Sequence, residues 1–372
     1  MNKNELMILH RFDKSVFFKY YVGFLYNYFD TSNHHFITNQ VNSHTLSADD
    51  IPMVEHFKTI YTKPIKNIRL FVPYAISRLR MTYKSNLLII HQMKLSDVFF
   101  CLLTPWSLKK TIWVIWGGDL YDYRERKSSI RSRIQFIVKK QIVNRIPYVV
   151  ARVPDYKLLQ EWYGSKAKLL LVEPLYSNGE FESATLTIKK DSSTPIKITL
   201  GNSATITNHH IEALEILSKF RNEDIQLYIP LVYGDMEYAE IVKTRSKEIF
   251  GNKVTILDKF MNPDEYNKHL STMDIGIFNI DRQQALGNIS YLLASGAKIY
   301  LDSTSPLWEI FEGFNFQVHP VSNIPLEDFD TFTYLDTNEL TYNSQHAKEI
   351  YSEKHSVDCW TRVFNLAKEK RP

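Results

Sequence analysis

Short apolar runs alternate along the chain with longer stretches in which apolar residues recur every three to four positions. The short runs predict buried strands at 5–10, 35–38, 86–91, 111–117, 147–152 and 168–173 in the first half. In the second half they fall at 195–201, 225–231, 253–260, 274–280 and 298–303. Helical spacing predicts helices at about 209–220, up to about 250, about 285–294, and a basic helix at 130–146. Strand and helix in alternation mean parallel sheets covered on both faces. The expected fold class is α/β, with two doubly wound Rossmann-like domains facing a cleft. A polar, Ser/Thr-rich stretch ending in Pro at 176–195 reads as the break between them. The expected domains are 1–180 and 195–372, with 181–194 as linker and the last helix free to pack back on the N-terminal domain.

Composition adds to this picture. Of 372 residues 44% are hydrophobic, enough for two cores. Charge is unevenly shared: residues 1–185 carry 26 Lys/Arg against 15 Asp/Glu, a net of +11, and the remainder is net −7. The basic half is expected to favour an anionic surface. Its densest part, 109–152, includes the helix at 130–146. There Ile130, Ile134, Ile137, Val138 and Ile142 form one side, and Arg131, Arg133, Lys139, Lys140 and Arg145 decorate the rest. The expectation is an apolar side packed inward and charges facing anionic lipid. The two cysteines, Cys101 and Cys359, have neither redox nor metal spacing, which fits a reducing compartment. No secretory leader and no apolar run long enough to span a bilayer is read.

Three loops carry candidate chemistry. Gly201, Asn202, Ser203 and Asn208 follow a strand and open a helix, a place where backbone amides can hold a diphosphate. An ordinary capped connection accounts for them equally well. Asn279, Arg282, Gln283, Gln284, Gly287 and Asn288 occupy the corresponding loop after a later strand. Arg282 can pair with phosphate through both nitrogens, and the amides can bond sugar hydroxyls. Asp119 follows a Gly-Gly pair at a strand end, as a general base or a helix cap. His91, His10 and Asp13 stand near other strand ends. There is no HExxH, and no metal is expected. The basic residues are not interleaved with stacking aromatics, so nucleic acid is not an expected partner.

The stretches IWGGDLYDY (115–123), LGNSATITNHHIEAL (200–214), YIPLVYG (228–234), IGIFNIDRQQALGN (275–288) and LLASGAKIYLDSTSPLWEIF (292–311) resemble the 4-alpha-L-fucosyltransferase family, glycosyltransferase family 56. The resemblance runs from about His91 to Phe316. It implies the GT-B architecture and a hexosyltransferase. It also implies a dTDP-activated 4-acetamido- or 4-amino-4,6-dideoxyhexose on the C-terminal domain, as in enterobacterial common antigen synthesis. The implied acceptor is an undecaprenyl-diphosphate-linked oligosaccharide, met at the cytoplasmic face of the inner membrane. Gly201, Asn202, Ser203 and Asn208 would then serve the diphosphate. Arg282, Gln283, Gln284 and Gly287 would serve phosphate and sugar. Tyr228, Pro230 and Tyr233 would line the nucleotide pocket, and Phe260 and Tyr266 would pack on thymine. Asp119 and His91 would be the candidate bases. Two other classes stay open: a non-catalytic scaffold of polysaccharide assembly, and a nucleotide-sugar epimerase.

Overall fold

Strands such as ILHRF, LLIIH, TIWV and IGIF are buried along their whole length, the pattern of parallel sheets covered on both faces. The computed structural model describes residues 6–12, 16–39, 58–62, 68–124, 129–175, 181, 184–187 and 194–369. Asp13 and most of the expected linker lie outside the described residues. The chain forms two units, Met1–Asn178 with Ser352–Pro372, and Gly179–Tyr351.

The first unit holds strands β1 (Ile8–Phe12), β2 (His34–Asn39), β3 (Lys58–Thr62), β4 (Leu87–His91), β5 (Thr111–Val114), β6 (Tyr148–Val150) and β7 (Lys168–Leu170). They pair in parallel in the order β3-β2-β1-β4-β5-β6-β7. Its helices are α1 (Val16–Tyr28), α2 (Ile68–Lys84), α3 (Leu95–Leu103), α4 (Gly118–Tyr121), α5 (Ile130–Val143) and α6 (Val153–Tyr163). One core joins Phe12, Tyr21, Phe36 and Ile89; the other joins Leu9, Ile90, Trp113, Ile142 and Tyr163.

The second unit holds β8 (Ile196–Leu200), β9 (Ile225–Pro230), β10 (Val254–Leu257), β11 (Ile275–Phe278), β12 (Lys298–Leu301) and β13 (His319–Pro320), ordered β10-β9-β8-β11-β12-β13 and all parallel. Around it lie α7 (His210–Leu217), α8 (Met236–Phe250), α9 (Pro263–Leu270), α10 (Leu286–Ser295), α11 (Pro306–Gly313), α12 (Phe329–Thr333) and α13 (Thr337–Ile350). The last helix, α14 (Glu353–Glu369), returns to the first unit, where Trp360, Val363 and Phe364 complete the Phe12 core. Phe181 and Ala184, expected in the linker, pack instead on the second unit's core beside Tyr291 and Tyr351, because both are apolar enough to be buried.

Two strands escape the hydropathy pattern. β3 is an edge strand of mixed polarity, KTIYT, and β13 is two residues long and ends in Pro, which edge positions tolerate. A further difference concerns α5. Its inward stripe is Phe136, Lys139, Ile142 and Val143, while Ile130, Ile134 and Ile137 are exposed. The expected inward apolar side therefore holds for Ile142 and Val138 and is corrected for Ile130, Ile134 and Ile137. Lys139 can lie inside because its ammonium bonds the Asp122 carboxylate at 2.7 Å and the Asp119 carbonyl, so the charge is paired.

Candidate functional site

In the second unit the winding reverses between β8 and β11: β9 and β10 extend the sheet one way, β12 and β13 the other. Strand ends at such a switch point open a crevice for ligands. The loops leaving β8 and β11 are the two motif loops, 201–209 and 279–285.

The first loop is built around Gly201. Its φ is +68°, and a Cβ there would stand 2.5 Å from His210 Nε2 and 2.8 Å from Asn208 Oδ1, so only glycine fits. Asn208 is fully buried. Its amide donates to Thr205 Oγ1 at 2.7 Å and to the Ser203 carbonyl at 3.1 Å, and its carbonyl accepts the Asn202 N–H at 3.0 Å. All its polar atoms are spent inside the loop. The expected role on diphosphate is corrected to that of a frame for the loop. Ser203 is buried beside Thr205 Oγ1 at 3.1 Å. Gly234, at φ +120°, lets the Ala204 backbone lie against it, and the Ala204 N–H donates to the Tyr233 carbonyl at 2.8 Å.

The second loop is tied to the first. Thr207 Oγ1 and Arg282 Nε both donate to Gln284 Oε1, at 3.3 and 2.9 Å. His209 Nε2 lies 3.2 Å from Asp281 Oδ2. Burial pulls the His209 pKa down, but the Asp281 and Glu212 carboxylates outweigh it and raise the value. Gln284 Nε2 is buried without a partner. Arg282 is exposed, Asn279 and Gln283 are half-buried, and Ala285 in the left-handed region opens α10.

Beside these loops lies a largely apolar cavity of about 320 Å³. Asn202, Pro230, Tyr233, Phe260, Tyr266, Gly287 and Asn288 line it, so seven predicted residues from four separate segments meet there. Tyr266 is set by a capping box at the start of α9. Asn262 Oδ1 accepts the Glu265 N–H at 2.9 Å, Glu265 answers on the Asn262 N–H at 3.2 Å, and Pro263 opens the helix. Tyr266 Oη then accepts from Asn288 Nδ2 at 3.0 Å, and burial pushes its pKa up. Asn202 Nδ2 donates to Tyr233 Oη at 3.1 Å, while Asn202 Oδ1 is buried with no partner. Tyr228 does not line the cavity. It packs edge-on against His269, with centroids 5.0 Å apart. Lys259, Met261 and Tyr291 also line the cavity and carried no motif signal; for Tyr291, only its place one turn beyond Gly287 on α10 points to it.

Both candidate bases of the first unit are enclosed. Asp119 Oδ2 accepts the Trp113 indole N–H at 2.7 Å and the Met93 N–H at 2.9 Å, and Oδ1 accepts the Trp116 N–H at 2.9 Å. Burial raises its pKa against these bonds. The carboxylate is engaged in joining the loops after β4 and β5, which corrects the expected role as base. His91 is 1% exposed, with its ring 4.3 Å from that of Phe12 and its Nε2 3.4 Å from His10 Nδ1. Burial holds its pKa well below the usual value. It belongs to a core, not to a surface that an acceptor reaches. Among the described residues no group of three or more His, Cys, Asp and Glu could hold a metal ion.

Two parallel, doubly wound units with this strand order are those of the GT-B fold. A glycosyltransferase from Rickettsia africae ESF-5 superposes with a TM-score of 0.67 at 18% identity, covering 99% of this chain and 100% of that one. Anabaena Alr3699/HepE in complex with UDP gives 0.65 at 11% identity over 97% and 100%. WaaG, a glycosyltransferase involved in lipopolysaccharide biosynthesis, gives 0.55 at 8% identity over 97% and 99%. Residues 27–321 match the model of the 4-alpha-L-fucosyltransferase glycosyl transferase group 56, and the chain belongs to that family. The match starts well before the His91 expected from the motifs.

Proposed function

We propose that this glycosyltransferase moves a 4-acetamido- or 4-amino-4,6-dideoxyhexose from a dTDP donor to an undecaprenyl-diphosphate-linked oligosaccharide. The setting would be bacterial surface polysaccharide synthesis, O-antigen or enterobacterial common antigen, at the cytoplasmic face of the inner membrane. The observation that carries the reading is the apolar cavity at the β8/β11 switch point in a member of this family. Phe260, Tyr233 and Tyr266 offer faces on which a pyrimidine stacks. The unpartnered Asn202 Oδ1 is an acceptor for an imide N–H such as thymine or uracil carries. An apolar lining favours the base with a methyl group. The exposed Arg282 and the first turn of α10 would stabilise charge on the departing diphosphate. The HepE complex shows that protein binding UDP, a related ligand.

The test is a thermal-shift series with dTDP, UDP, GDP and ADP, with and without magnesium. The expected result is selective stabilisation by dTDP, indifferent to magnesium, of about 2.7 kcal/mol at a hundredfold excess over Kd. Preference for UDP or GDP would overturn the donor assignment. No shift with any nucleotide would favour the scaffold.

A further inference from the structure

Three neighbouring helices of the first unit each show an apolar stripe to solvent. On α2 it is Val72, Ile76, Leu79 and Tyr83; on α3, Leu95, Phe99, Leu102 and Leu103; on α5, Ile130, Ile134 and Ile137. Each set repeats as i, i+4, i+7, one side of a helix. Leu103 and Ile130 are 73% and 77% exposed, and Trp106, just past α3, is 48% exposed. The helices adjoin. Arg78 of α2 donates to Asp97 of α3 at 3.2 Å and lies 3.7 Å over the Phe100 ring, and α3 packs on α5. Contiguous apolar surface of this kind on a folded unit marks an interaction face.

The exposed charges on these three helices are of one sign. The three helices contain a single carboxylate, Asp97, which is 1% exposed and paired with Arg11 and Arg78. Arg80, Lys84, Lys94, Arg133 and Lys140 are exposed on or beside them. A second copy joined about a two-fold axis would set this cationic face against itself.

We propose that the α2–α3–α5 face docks on an anionic lipid bilayer. The stripes and Trp106 enter the headgroup–acyl boundary, and the surrounding cations pair with lipid phosphates. This deepens the reading of a membrane-bound acceptor by naming the face that meets the membrane. It also reverses the sequence expectation for α5, since the isoleucines meet lipid.

The test is flotation of the full chain with vesicles of phosphatidylcholine alone or mixed with phosphatidylglycerol, at low and high salt. The wild-type chain should float with the anionic vesicles, more weakly at high salt, and poorly with the neutral ones. Combined Phe99→Ser, Leu103→Ser and Ile134→Ser should weaken flotation at least about tenfold with an unchanged melting curve, since all three side chains are exposed. Arg133→Gln with Lys140→Gln should lower the salt dependence. Failure of the wild type to float, or flotation of the serine variant like wild type, overturns the proposal. Self-association in sedimentation velocity that the serine variant abolishes, without flotation, gives the face to a second copy and overturns it too. No step uses a nucleotide, so a failed donor assignment leaves this result standing, and the reverse also holds.

Discussion

Asp119 shows how a residue's neighbours set its work. Its two oxygens take an indole N–H and two backbone N–H groups, two of them from the strand and turn it follows and one from Met93, distant in sequence. An asparagine of the same shape would turn an NH2 toward donors on one side. Asp119→Asn should therefore destabilise the native state by about 1–3 kcal/mol for each donor left without an acceptor. Thermal and urea melting check this. If activity vanished while both melts stayed at the wild-type midpoint, Asp119 would be a base after all. The Gly-Gly-Asp pattern placed this carboxylate at a strand end correctly. Whether it faced solvent or a neighbouring strand's loop was not legible, because Met93 and Trp113 approach it only after the sheet forms.

At the level of elements, β1, β2, β4, α1 and α14 share one aromatic core around histidines. His10 Nε2 lies 2.9 Å from His34 Nδ1, its ring stacks on Phe36 at 4.8 Å, and Phe364 and Trp360 of α14 close the cluster. Burial, then neighbouring histidines, hold His10 well below its usual pKa; burial lowers His34 to about 4 and holds His91 well below its usual value. The native histidines thus stay neutral at pH values where the unfolded chain protonates them. Their contribution is complete above about pH 6.5 and declines as pH falls from there toward 4. Each histidine should add up to about 1.4 kcal/mol of lost stability per pH unit in that window. Urea midpoints at neutral and mildly acid pH measure the slope, and a midpoint that held or rose on acidification would contradict the cluster. The strand pattern marked the places of His10 and His91 and stopped one residue short of His34; the pairing order β2-β1-β4 brought the three together.

For the whole molecule, the division of the chain is not collinear. The last helix supplies Trp360, Val363 and Phe364 to the core of the unit made by the first 178 residues. A chain ended at Tyr351 should keep the melting transition of the second unit and lose that of the first. Replacing one large buried aromatic by alanine alone costs about 3–5 kcal/mol. Calorimetry resolves the two transitions, and two intact ones in the shortened chain would refute the assignment. No helix among the described residues is long and apolar enough to cross a membrane.

Hydrophobic periodicity by itself determined the α/β class, nearly every strand, and the loops from which the cavity is built. Burial on both faces writes continuous apolar runs into a parallel strand, and each run ends where its loop begins. Glycines marked the turns, as at Gly201, where the His210 ring leaves no room for a Cβ. Tertiary structure alone decided which polar side chains keep an open atom at the cavity. Asn202 and Asn208 are six positions apart and chemically identical. One keeps an unpartnered oxygen at the cavity, and the other has every polar atom bonded within the loop. It also decided which side of α5 faces out, because a buried Lys139 becomes tolerable only once Asp122 and the Asp119 carbonyl stand beside it. Periodicity measures the average polarity of a stripe, whereas the burial of a single charge depends on partners that the fold delivers from elsewhere in the chain.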